Sequence, residues 1–318
     1  MLDRKNRAPV LDMGGPALSE RVRRNLHTLR LDWVLYAMLL PTIVFFVIFR
    51  VWPIWNMRLA FFTYKAKTAW EWAGLKYFQQ IFATPQFGNI LKNTLIISFM
   101  KYVLLFPFFV IFAILLSEMR MHRCRKVVQV ISYLPHFLGW VVIAGIWINF
   151  LSYDGAVSEI LSWFGVPPSN HMTNRNSIRW ILFLSEGWRS MGWDSIIYYT
   201  TIIGISPSLY EAAEMDGATR LQVIRHIVLP ALLAPTSTMF ILNLGYFMSA
   251  GFDQVLNFSN AAVQNTIDIL DTYIYRVGIQ NGQYSLASAV GLFKGVVGMV
   301  LVLCTHVTSK KLTGEGVW

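Results

Sequence analysis

An all-α polytopic membrane protein is the fold class this chain predicts, on three observations. Of its 318 residues, 55% are hydrophobic, and the mean hydropathy is +0.48. Charged residues make up 14%, against about 25% in soluble domains. Six apolar runs are each long enough to cross a hydrocarbon layer of about 30 Å at about 1.5 Å per residue. With so little polar surface, the net charge of +10 reads as basic cytoplasmic loops rather than a nucleic-acid surface.

Residues 1–32 form a basic tail carrying Arg4, Lys5, Arg7, Arg21, Arg23, Arg24 and Arg30. No apolar core interrupts it, so no signal peptide is predicted. Its stretch from Leu18 to Leu31 suits a surface helix whose cations meet anionic headgroups. Residues 33–318 are predicted as one transmembrane domain with its core at about 90–308. The six runs fall at about 33–51, 90–117, 127–151, 179–205, 228–250 and 286–308. Pro107, Pro135 and Pro235 interrupt the second, third and fifth, and the fourth is the most polar. Cys124 and Cys304 lie in no metal-ligand spacing and imply no disulfide framework.

Orientation follows from the cations. With the N-terminus inside, the inner segments carry fifteen Lys and Arg, among them Arg120 to Lys126, Arg220, Arg225 and Lys310-Lys311. The outer segments carry six: Arg58, Lys65, Lys67, Lys76, Arg175 and Arg276. Both termini are therefore expected in the cytoplasm. Trp52, Trp55, Trp70, Trp72 and Tyr77 in the first outer segment suit an interfacial aromatic belt.

Residues 206–230, SPSLYEAAEMDGATRLQVIRHIVLP, stand out between two apolar runs. Tyr210 to Glu214 are mostly helix formers, with Ser206 or Ser208 available as a cap. Gly217 breaks the run, because glycine turns at low steric cost. A second short helix is expected from about Ala218 to His226, with Pro230 marking entry into the next apolar run. Two short helices at an angle would make a knob that a soluble partner can grip.

Glu211-Ala212-Ala213, Asp216-Gly217 and Ile227-Val228-Leu229-Pro230 together reproduce the pattern E-A-A-x3-G-x9-I-x-L-P. This resembles the EAA loop of permease subunits in binding-protein-dependent ABC importers. Arg50-Val51-Trp52-Pro53-Ile54, Asn93-Thr94-Leu95, Tyr133-Leu134-Pro135-His136, Glu186-Gly187-Trp188, Asp271-Thr272-Tyr273 and Tyr284-Ser285-Leu286-Ala287 look like the polysaccharide-type branch of carbohydrate permeases. Within that branch the chain resembles the permease subunits of bacterial alginate-oligosaccharide importers. The resemblance implies the type I importer fold: six helices, a five-helix core and a cytoplasmic coupling helix. It implies a place in a bacterial inner membrane. It further implies a second, different permease chain, two ATP-binding subunits that hold ATP and Mg, and an extracytoplasmic solute-binding protein that delivers an oligosaccharide. No cofactor is expected in this chain itself, and no nucleic acid among its partners.

Ionisable residues inside a bilayer are costly and usually face a cavity or a partner. Lys101, Arg189 and Lys294 outnumber Glu186 and Asp194, a balance that would suit an anionic saccharide. Glu186 and Arg189 lie three apart on one helix face, so pairing between them competes with a substrate role. Lys101 and Lys294 have no opposite charge nearby in sequence, so pairing with acids on a partner chain competes likewise. Asn243 and Tyr246, three apart on the fifth run, join Lys101, Arg189 and Lys294 as expected pathway residues. Gly291-x3-Gly295 with Gly298 is expected to pack helices closely.

Two other function classes make different demands on the sequence. A membrane-embedded enzyme would need Glu186 and Asp194 as its acids, but eight residues separate them by about 12 Å along a helix. A secondary transporter should show internal repeats and no ATPase-docking loop. The chain carries no G-x-x-x-x-G-K-[ST] phosphate loop. It is not expected to be an enzyme or to hydrolyse ATP itself.

Overall fold

The computed structural model describes residues 33–313, with side chains as far as Val307. The basic tail, its expected surface helix and the side chains of Lys310-Lys311 lie outside what is described. Two compact units divide the chain at Asn56.

In the first unit, helix α1 (Trp33–Phe46) has no buried residue. A helix apolar on every side is suited to lipid rather than to water. A π turn, Val47–Val51, carries it into a short helix, Trp52–Asn56.

The second unit is built from helices, apart from a two-residue ladder that pairs Phe62 with Trp72 and Thr63 with Glu71. Its main elements are α2 (Pro85–Phe99), α3 (Phe106–Glu118), α4 (His122–Tyr133), α5 (Trp140–Leu151) and α6 (Ile178–Ile203). After these come α7 (Pro207–Met215), α8 (Arg220–Val223), α9 (Leu229–Leu244), α10 (Leu270–Tyr275) and α11 (Tyr284–Thr313). Among the described residues, five continuous helical stretches are long and apolar enough to cross a membrane: Trp33–Phe61, Pro85–Glu118, Trp140–Trp163, Arg220–Leu244 and Tyr284–Val307. Helix α6 has 26 residues, ample length for a crossing, but it is more polar.

Proline placement explains how the long helices stay continuous. Three π turns, Val47–Val51, Met100–Leu104 and Ile224–Val228, each end two or three residues before a proline: Pro53, Pro107 and Pro230. Proline lacks an N–H, and its ring collides with the carbonyl four residues back. Widening the preceding turn relieves that collision while the helix runs on. Pro230 therefore does not open a new element. The expected second short helix, Ala218–His226, is instead the first part of one helix that runs from Arg220 to Leu244.

Three further expectations are corrected. The third apolar run is not one helix: α4 gives way at Leu134–Phe137 to a 3-10 turn, Leu138 and Gly139 are extended, and α5 starts afresh. Here Pro135 begins the new turn, with no widened turn ahead of it. The stretch 251–285, which reads as an outer loop of mixed Asp, Asn, Tyr and Gly between the fifth and sixth runs, is largely folded. Phe252–Phe258, Gln264–Ile267 and α10 fold within it, and its Val255, Phe258, Val263, Ile267, Ile269 and Leu270 are fully buried. The polar residues between them hid that apolar set. Last, α9 ends at Leu244, short of Tyr246, so Asn243 and Tyr246 do not share a helix face.

Helix α6 is central, packing against α3, α4 and α9. Its small residues explain how. A Cβ at Gly192 would run into the Ser132 carbonyl of α4, and one at Gly187 would lie 3.0 Å from Leu105. In lipid no hydrophobic drive pulls helices together, so close backbone approach and interhelical hydrogen bonds carry the association. Asn93 on α2 supplies such bonds, donating to the Asn265 and Asp268 carbonyls at 3.0 and 3.2 Å.

Candidate functional site

The EAA segment forms a helix-turn-helix knob. Pro207 opens α7 at the position where a missing N–H costs nothing. The Ser206 side chain does not cap the helix, contrary to expectation, and its Oγ lies 2.8 Å from Ser208 Oγ. At the other end, Gly217 donates to the Glu214 carbonyl at 3.0 Å and Ala218 to the Ala213 carbonyl at 2.9 Å. That pair of bonds is a Schellman ending, which needs a left-handed residue. Gly217 supplies it at φ +71°. Ala213 therefore contributes its carbonyl to the turn. Asp216 is the C-cap. The chain then re-enters helix through a capping box between Thr219 and Gln222, a spacing the sequence displays and the expectations above did not use.

Glu211, Ala212 and Asp216 are exposed. Glu211 and Glu214 line a groove shared with Glu118, Ile203 and Tyr210. Tyr210 packs into the core cluster of α3, α6 and α9. Burial there, with the Glu118 carboxylate nearby, pushes its hydroxyl pKa up. Arg220 Nη1 donates to Glu118 Oε2 at 2.5 Å, joining the knob to the end of α3. Of the I-x-L-P residues, Ile227 is half-buried, whereas Leu229 and Pro230 are exposed. The intervening Val228 enters the core at 3% exposure. Met215 at 87% and Leu221 at 75% exposure leave apolar tips projecting from either side of the turn.

The expected pathway residues divide between two places. Lys101 is buried, and its Nζ lies 3.1 Å from Glu186 Oε2 and donates to the Ala250 carbonyl at 2.8 Å. Glu186 also accepts from Ser190 at 3.1 Å. Lys101, Glu186, Asp194 and Asn243 line a cavity of about 180 Å3 with Trp140. Arg189 stacks its guanidinium 5.0 Å from the Trp140 ring centre and donates to the His136 carbonyl at 3.3 Å. The Glu186–Arg189 pair expected from their spacing is replaced by Lys101–Glu186. Lys294 Nζ donates to Asp271 Oδ1 at 2.5 Å. Both lysines, which have no acid nearby in sequence, thus have one within the chain. Their acids sit on other helices, where sequence distance hides them.

Lys294 lines a separate groove of about 580 Å3 with Gly245, Asp271, Gly291, Gly295 and Gly298. A Cβ at any of Gly291, Gly295 or Gly298 would meet nothing within 4 Å. The glycine stripe, expected to pack helices closely, meets no other side chain of this chain within that distance. Tyr246 is 64% exposed and lines neither cavity.

No family model matches the chain. It is 37% identical over 303 residues to the polygalacturonan/rhamnogalacturonan transport system permease protein YteP of Bacillus subtilis (strain 168), covering 94% of each. The chain belongs to the permease family of carbohydrate ABC importers. Protein LplB of the same organism is 33% identical over 319 residues, 99% of this chain and 98% of that one. The crystal structure of a bacterial ABC transporter involved in the import of the acidic polysaccharide alginate contains a chain of the same fold. It superposes with a TM-score of 0.85 at 37% identity, over 91% of this chain and 99% of that one. That transporter has also been solved in complex with an alginate pentasaccharide-bound periplasmic protein, and there the corresponding cover is 92% and 99%. This permease is accordingly mostly helical in architecture, with the type I importer fold, and its relatives are transport subunits rather than enzymes.

Proposed function

We propose that this permease is one of two different transmembrane chains in an ATP-driven importer of an acidic oligosaccharide, delivered by a solute-binding protein. The observation that carries the reading is the 37% identity, over nearly the whole of both chains, to a polygalacturonan/rhamnogalacturonan permease. The likeness to the alginate importer points the same way. Charge alone is a weaker support than the sequence suggested, since Lys101 and Lys294 are paired within the chain. The preference for acids rests on the relatives.

In this reading α6 is the sixth membrane helix, both termini are cytoplasmic, and the membrane is a bacterial inner membrane. The distribution of cations supports that orientation. The second permease seats against the open glycine stripe on α11, where small residues allow close approach. Two ATP-binding subunits hold ATP and Mg, and each permease presents a knob to one of them. In this chain the knob is residues 207–226, with Met215 and Leu221 as its apolar contacts and Glu211 and Asp216 as its polar ones. Lys101, Arg189, Asn243, Tyr246 and Lys294 remain the proposed pathway residues.

The test is uptake by the complete complex in proteoliposomes, with alginate pentasaccharide, oligogalacturonide and neutral galacto-oligosaccharide as probes. Uptake and ATPase stimulation by the acidic probes are expected. Transport of the neutral probe alone would reject the acidic assignment. Stimulation by none of the three would reject a saccharide cargo of these classes.

A further inference from the structure

A polar cavity of about 280 Å3 lies apart from both places described above, between the start of α2 and the segment 264–276. Gln86, Asn89, Gln264, Asn265, Asp268 and Arg276 line it. Both lining segments belong to the stretches 52–89 and 251–285, which the distribution of cations places outside. Among the described residues, Asp268 and Arg276 are committed to each other. The Asp268 carboxylate accepts from both Arg276 terminal nitrogens and from Thr272 Oγ1 at 2.7 Å.

The four amides differ. The side chains of Gln86, Asn89, Gln264 and Asn265 make no hydrogen bond with any described residue, while the backbone beneath two of them is held firmly. Asn93 donates to the Asn265 and Asp268 carbonyls, and Arg179 donates to the Thr266 carbonyl at 3.2 Å and to Asn93 Oδ1 at 2.7 Å. The Leu270 N–H donates to Thr94 Oγ1 at 3.0 Å. Four carboxamides, each with donors and an acceptor, thus converge on one cavity from a fixed frame. Sugar hydroxyls need that mixture, since each both donates and accepts. The volume lies just below the range of roughly 300–1,000 Å3 typical of small-molecule sites and suits a single sugar ring.

We infer that this cavity is a sugar-ring subsite at the outer mouth, which receives one residue of the oligosaccharide as it leaves the solute-binding protein. The inference rests on the carbohydrate-import reading above. The ring's hydroxyls bond to Asn89 and Gln264 across the cavity, and the exposed edge of Arg276 faces any carboxylate the ring carries.

The experiment uses the assembled complex in proteoliposomes, with solute-binding protein loaded with alginate pentasaccharide or oligogalacturonide. The variant is Asn89→Ala with Gln264→Ala. Neither side chain is bonded to described protein atoms, so complex yield and basal ATPase activity should be unchanged. Loss of two ligand hydrogen bonds should lower uptake at saturating loaded binding protein by roughly tenfold. The concentration of binding protein that half-saturates ATPase stimulation should change less than about twofold. Asn89→Ser with Gln264→Ser, which keeps hydroxyls able to bond, should recover part of the uptake. Unchanged uptake in the alanine variant would overturn the subsite. So would a shifted half-saturation with a preserved plateau, which would make this face a protein-docking surface. Should the wild-type complex take up neither saccharide, the carbohydrate reading itself fails, and this inference falls with it.

Discussion

Arg220 and Glu118 meet at 2.5 Å across 102 residues of chain, tying the helix that leaves Gly217 to the end of α3. The pair marks where the knob is fastened to the membrane helices. Both side chains are partly or largely exposed, so the bond itself contributes only about 0–1 kcal/mol. Arg220→Glu should therefore leave the assembled complex almost as stable as the wild type. It should weaken transport per ATP hydrolysed, because the like charges push the knob away from α3. Glu118→Arg introduced with it should restore transport. Uptake and ATPase rates measured together in the wild type and both variants check this.

A second prediction concerns Lys101. Its ammonium is held by Glu186 and by the Ala250 carbonyl. Glu186→Gln would leave a buried cation facing one carbonyl and a neutral amide. Breaking a buried pair from one side typically costs about 3–5 kcal/mol. The detergent-solubilised complex should lose thermal stability accordingly. Lys101→Met combined with Glu186→Gln should recover a large part of the loss, since no unpaired charge remains. Thermal melts of both variants decide the matter.

Gly251 gives a third. It sits at φ +84°, and a Cβ there would collide with the Lys101 ammonium. Gly251→Ala should therefore destabilise the complex by about 1–3 kcal/mol. In a Lys101→Met background the penalty should shrink toward the backbone component, because a flexible apolar tip yields more easily than a fixed ammonium. A double-mutant cycle in thermal stability measures the difference.

The fourth prediction is steric. Gly192→Leu places a side chain against the Ser132 carbonyl and should force α4 off α6. Yield of the folded complex is expected to drop sharply, whereas Gly291→Leu, at an open face of this chain, should spare the fold of the isolated permease and disturb its pairing with the second chain. Detergent purification of each variant, alone and with its partner chain, separates the two outcomes.

Much of the architecture was legible because membrane helices and the EAA pattern are local signals. A run of apolar residues declares a helix without reference to the rest of the chain, and Gly217 declares its turn. What stayed hidden depends on which way helices face. Lys101 and Glu186 sit on different helices, and neither sequence neighbourhood shows the rotation that brings them together. Lys294 and Asp271 are hidden in the same way, with Asp271 in a stretch that reads as loop. The shared face expected of Asn243 and Tyr246 failed for a different reason: the α9 helix stops at Leu244, and spacing cannot show where a helix ends. The π turns ahead of Pro53, Pro107 and Pro230 had a visible signal, a proline inside an apolar run, but Pro135 carries the same signal and breaks its run.

In the proposed mechanism, residues 207–226 carry motion between the ATP-binding subunits and the membrane helices through a turn only glycine makes without strain. The measurement is ATP-driven uptake together with retention of the ATP-binding subunits, in membranes carrying Gly217→Leu. At φ +71° a leucine costs about 1–3 kcal/mol of backbone strain, which the knob relieves by changing its angle. Uptake is expected to fall by tenfold or more, about 1.4 kcal/mol in free-energy terms, or the ATP-binding subunits to detach, while the permease still inserts and folds. A Gly217→Leu protein that keeps its ATP-binding subunits and transports at the wild-type rate would contradict that mechanism.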